Sequence, residues 1–153
     1  MRGQLLLAKS ATVAVVGFVS GGLLTVISTV IAALMLGESD SVTAAELVRT
    51  PFAAGLYLAL AGVLVLGVGA ILRSTVVAIL VSLLLILAAP TLTELSSADW
   101  LESASTFLPS TAGEVWMSPD GGAYGQGVAA LILIVWAVLA QLVGYLCLWL
   151  RDA

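Results

Sequence analysis

Of the 153 residues, 61% are hydrophobic and only 9% are charged, with a mean hydropathy of +1.20. Water-soluble domains carry roughly 25% charged residues, so this composition excludes an ordinary soluble domain and describes a chain whose surface faces lipid. The nine acidic and five basic residues lie almost wholly between apolar blocks and form no basic patch, which argues against nucleic acid as a partner. With no histidine and one cysteine, Cys147, a Cys/His zinc site and an intramolecular disulfide are both excluded. No cofactor is expected.

The first block, residues 10–36, is uncharged and long enough to span a bilayer with tilt. It exceeds the 7–15 residues typical of a signal-peptide apolar region, although Arg2 and Lys9 precede it. Within it, Gly17 and Gly21 make a small-xxx-small pair, a spacing that lets helices approach closely, either within the chain or between subunits. A polar stretch with Glu38, Asp40, Glu46 and Arg49 follows, in which Thr43 and Glu46 have capping-box spacing. Thr50 and Pro51 supply an N-cap and first-turn proline for a second span over residues 52–72.

Arg73 and Ser74 alone separate this from a third apolar block, 75–92, so the two spans are expected to form a tight antiparallel hairpin. Arg73 serves as a positive marker in that turn or as a contact for a cytoplasmic partner. Residues 93–126 read as a polar external loop with short helices. Trp100 and Phe107 recur at helical spacing after a Ser97 or Asp99 cap, and Thr111 with Glu114 offers a second capping box leading to Trp116. Trp100, Phe107, Trp116 and Tyr124 are candidate interfacial anchors, because amphipathic rings favour the headgroup level. The last span covers residues 127–150. The expected architecture is a single all-α membrane domain of about four spans. Arg2, Lys9, Arg73 and Arg151 all fall on one side, which the positive-inside rule assigns to the cytoplasm together with both termini. Arg49 is the exception.

No charged residue interrupts a span, which argues against proton relays and intramembrane proteolysis. Thr12, Thr25, Ser28, Thr29, Ser82 and Gln141 are the polar residues within spans that could line a path or bond to neighbouring helices. Nothing marks an enzyme.

The segment Leu66-Gly-Val-Gly-Ala-Ile-Leu-Arg73-Ser-Thr-Val-Val-Ala-Ile79 resembles the short cytoplasmic turn between the fourth and fifth spans of ABC-2-type transporter permeases. Phe107-Leu-Pro-Ser-Thr-Ala-Gly113 is similar to the external segment before their final helix, and Leu150-Arg-Asp-Ala153 resembles their tail. On that pattern the chain corresponds to the last four of six spans, without the family's first two spans and coupling helix. The resemblance implies a permease component of a bacterial ABC exporter in the cell membrane. It would form part of a substrate path with a second permease copy or companion membrane subunit, and a separate ATPase subunit would hydrolyse ATP. The competing expectation is an accessory or immunity membrane protein that binds a partner and transports nothing.

Overall fold

In a computed structural model of the chain, residues 2–36, 44–72, 76–84, 105–118, 122 and 124–150 are described, and everything regular among them is helical. Helix α1 covers Arg2–Leu36, α2 covers Ala44–Ile71, and a helical stretch over 76–84 is α3. The short α4 is Pro109–Met117, and α5 is Gln126–Leu150. Three of these are long and apolar enough to cross a membrane, over Leu7–Met35, Leu47–Ile71 and Gln126–Cys147. The architecture is that of an all-α membrane protein.

Several boundaries differ from the sequence reading, each for a local reason. Helix α1 begins at Arg2 rather than near residue 10, because Gln4 to Ala8 contain no breaker. Helix α2 begins at Ala44 and runs through Pro51, so Thr50 is not its N-cap and Pro51 is not in its first turn. Proline removes one main-chain donor, a loss that membrane helices tolerate when neighbours fill in around it. The Thr111/Glu114 capping box does not form either. The N-cap of α4 is Leu108, which makes no side-chain cap bond, and Pro109 supplies the first-turn proline. Thr111 instead donates from Oγ1 to the Ser105 carbonyl, at 2.9 Å. The expected third span, 75–92, is described only over 76–84, where Ala78 and Ser82, four residues apart, are both buried.

Helix α2 is the centre of the molecule. On one side it meets α1 with the two chains antiparallel: Val13 lies against Gly62, Gly17 against Leu58 and Ala59, and Gly21 against Ala54 and Gly55. The Phe18 and Phe52 rings close this seam edge to face, 5.6 Å between centroids. On its other side α2 meets α5 running parallel to it, with Val63 beside Gln141 and Gly67 beside Ala140 and Gly144. Lipid tails are as apolar as these side chains, so the seams depend on close packing and hydrogen bonds rather than on the hydrophobic effect.

The parallel pairing has a topological consequence. Helix α4 sits at the N-terminal ends of α2 and α5, where Trp116 reaches Ala53. From Ala53 to Ile71 is eighteen residues, about 27 Å of helix. The chain therefore travels back by roughly that distance between Leu72 and Ser105.

Candidate functional site

The α1–α2 and α2–α5 seams fix the geometry of everything between them. A Cβ added at Gly17 would lie 3.0 Å from the Leu58 carbonyl oxygen, and one at Gly21 would lie 3.0 Å from both the Ala54 oxygen and the Gly55 Cα. Gly17 and Gly21 are thus placed on α2 of the same chain. An added Cβ at Gly67 would come within 2.6 Å of the Ala140 carbonyl carbon, and one at Gly144 within 2.9 Å of the Gly67 oxygen. This second crossing point was not singled out from the sequence. The spacing of Ala140 and Gly144 carries the same small-xxx-small signal as Gly17 and Gly21, and Gly67 supplies the complementary notch.

Where α1 and α5 diverge on the face of α2, an apolar cleft of about 510 Å³ opens. Its walls are Leu7 and Ser10 from α1, Leu60 and Val63 from α2, and the stripe Ile134, Ala137, Val138, Gln141, Leu142 and Tyr145 from α5. The α5 residues recur at spacings of three and four and so form one helical face. No charged side chain lines the cleft among the described residues. Its size is that of a small-molecule or cofactor pocket, typically about 300–1,000 Å³.

Gln141 is the polar feature of that wall. Its Nε2 donates to the Val63 carbonyl oxygen at 2.7 Å, which ties α5 to α2 at membrane depth. Its Oε1 is enclosed and has no hydrogen-bond partner. Of the other polar residues within spans, Thr12, Thr25 and Thr29 donate back to the carbonyls of Ala8, Gly21 and Thr25, and so satisfy themselves on their own helix. Ser82 is buried with its hydroxyl unpaired.

At the opposite end α4 closes the space between α2 and α5, and side-chain donors strap it to main-chain carbonyls. Trp116 Nε1 donates to Ala53 O at 3.0 Å, and Trp136 Nε1 on α5 donates to Phe107 O at 2.9 Å. Arg49 Nη2 and Gln126 Nε2 converge on the Ser118 oxygen at 3.3 and 2.7 Å. The Tyr124 hydroxyl donates to Thr106 O at 2.7 Å, and partial burial raises the Tyr124 phenol above its ordinary value. The ring of Tyr57 lies over Gly113, where only a glycine leaves room. Beneath Pro109 a small void remains between Tyr57, Leu60, Ala61, Leu64 and Leu133.

Three of the four aromatics expected as interfacial anchors are therefore brought into one assembly. Phe107 is exposed and accepts through its carbonyl, while Trp116 and Tyr124 are donors in the straps. The anchoring of α4 is by protein contacts, with Pro109, Ser110, Ala112, Gly113 and Val115 all buried. Trp100 and Arg73 lie outside the described residues. Among the described residues no group of three or more His, Cys, Asp or Glu side chains is placed to hold a metal ion. No family model, curated protein or solved structure matches this chain.

Proposed function

We propose that this chain is a membrane-spanning component of an exporter, a permease subunit that forms part of a substrate path and is driven by a separate ATPase subunit. The observation that carries the reading is the apolar cleft of about 510 Å³ between three membrane-length helices. A path component needs a cavity within the bilayer, and a cleft with apolar walls between spanning helices supplies one. The resemblance of residues 66–79 and 107–113 to ABC-2-type permeases supplies the energy source.

Four crossings with both termini cytoplasmic belong to the same proposal. Parallel α2 and α5 require an odd number of crossings between them if both span, and the apolar block 75–92 is the segment able to supply one. In this arrangement Arg2, Lys9, Arg73 and Arg151 share a side, as the positive-inside rule favours. The opposite side receives Glu38, Asp40, Glu46, Glu94, Asp99, Glu102, Glu114 and Asp120, with Arg49 as its single base.

The test is co-purification of the tagged chain with the ATPase encoded beside it, followed by measurement of ATP turnover in liposomes. A stable complex that raises turnover supports the permease reading. No complex with any such ATPase overturns it in favour of a non-transporting accessory protein. The density of hydrogen bonds locking α4 favours that second reading, since a fixed cap suits partner binding better than a moving gate.

A further inference from the structure

Helix α4 is set along the bundle rather than flat across its end. Just past its last turn, the Ser118 oxygen accepts from Arg49 and from Gln126, the first residue of α5. Moving back along α4, its neighbours on α2 descend. Trp116 meets Ala53, Gly113 meets the ring of Tyr57, and Pro109 borders a void with Tyr57, Leu60, Ala61 and Leu64. From Arg49 to Leu60 is eleven residues, about 16 Å of helix, or half of a hydrocarbon core about 30 Å thick. Leu60 is also one residue from the centre of the apolar stretch Leu47–Ile71. The N-terminus of α4 therefore stands near mid-depth of the spans.

That end presents donors alone. Its N-cap, Leu108, makes no side-chain bond, and Pro109 has no N–H. Ala112 N–H is the first of the helix to reach a main-chain acceptor, the Leu108 oxygen, which leaves the N–H groups of Ser110 and Thr111 without a helical partner. The Ser110 hydroxyl is a third donor. Ser110 is only 6% exposed and its Oγ has no hydrogen-bond partner, whereas Thr111 Oγ1 donates to the Ser105 oxygen. Helical Cβ atoms tilt toward the N-terminus, so the Ser110 side chain leans toward the same open end. Unmet donors at this depth are costly, and the positive end of the helix dipole adds to them.

We propose that the first turn of α4 binds a small monovalent anion of halide size. Backbone N–H groups at a helix N-terminus favour an anion, and donors without an acceptor among them suit it better than water, which must also donate its own protons. The void beside Pro109 measures about 10 Å³, near the least that holds one small particle, which excludes organic anions by size. Divalent anions are excluded by charge, since no basic side chain lines the void to offset the dehydration of a double charge. Glu114, exposed one turn further along α4, is the acid that limits affinity. The site belongs to α4 and does not rest on the chain being a permease.

The experiment is the broadening of the chloride NMR line by the full chain in detergent, with thermal unfolding in sodium chloride and in sodium gluconate at equal ionic strength. The wild type should broaden the line saturably, bromide should displace the effect and sulfate should not, and chloride should raise the melting temperature above that in gluconate. Ser110→Ala should weaken chloride binding by at least about tenfold, the loss of one hydrogen bond to a charged group. In gluconate the same variant should be at least as stable as the wild type, because it removes an unpaired buried hydroxyl, and in chloride it should be less stable. Glu114→Gln should raise chloride affinity. Equal chloride broadening by the wild type and Ser110→Ala would overturn the site, as would a wild type that broadens the line no more than detergent alone. A loss of stability in Ser110→Ala that is the same in both salts would assign Ser110 a packing role and overturn the proposal.

Discussion

Glycines 67 and 69 stand two residues apart on α2 and are expected to respond oppositely to a side chain. At Gly67 an added Cβ meets the Ala140 backbone, whereas at Gly69 nothing lies within 4 Å. Gly67→Leu should therefore force α5 away from α2 and lower stability by about 1–3 kcal/mol or more, while Gly69→Leu should be close to neutral. Thermal unfolding in detergent measures both, and equal losses would contradict the crossing point. Gln141 gives a second contrast. Its amide makes one bond to Val63 O and leaves Oε1 unpaired, so Gln141→Leu removes a contact and a burial penalty together and should change stability by less than about 1 kcal/mol. Gln141→Glu puts a charge at membrane depth and should cost about 3 kcal/mol. A large loss in Gln141→Leu would mean that the amide is needed for more than this one bond.

The straps on α4 explain how nine residues, too few for an independently stable helix in water, keep a fixed place. Tyr124 makes one of them testable by pH. The hydroxyl must be protonated to donate to Thr106 O, and its folded value is raised above the ordinary 10.0. A raised phenol contributes stability that is present below the unfolded value and is lost as pH rises through the folded one. Proteolysis within the 105–125 segment should thus accelerate above about pH 10 in the wild type, beyond any change in Tyr124→Phe. Identical pH profiles for the two proteins would exclude this strap as the cause. The crossing direction of the long helices is checked with single cysteines in a Cys147→Ala background. Ser41→Cys and Ser103→Cys should react with a membrane-impermeant thiol reagent on intact cells and Ser74→Cys should not; labelling of Ser74→Cys alone would invert the orientation.

At the scale of the whole molecule, the presence of membrane-length helices was legible in the sequence because lipid imposes a composition on every residue that faces it. The uncharged runs in α1, α2 and α5 could be read without knowing their neighbours. The starts of α1 and α2 were less legible, since polar residues near a helix end and a proline within a packed membrane helix leave the helical backbone intact. The pairing of the helices could not be read from those runs: nearly the whole circumference of each is apolar, so periodicity does not say which face meets protein and which meets lipid. Glycine spacing gave one face of the α1 seam, with Gly17 and Gly21, but not its partners Gly55 and Gly62, nor the Gly67–Gly144 crossing. The cleft was equally hidden, because its walls come from three helices distant in sequence and only their divergence creates the space. The sequence by itself determined the solvent of this protein, through hydropathy and the position of charge. Tertiary structure decided which small residues touch, that α2 and α5 run parallel and that α4 is docked rather than free, because those outcomes depend on packing and on donors such as Trp116 and Gln126 meeting carbonyls far along the chain.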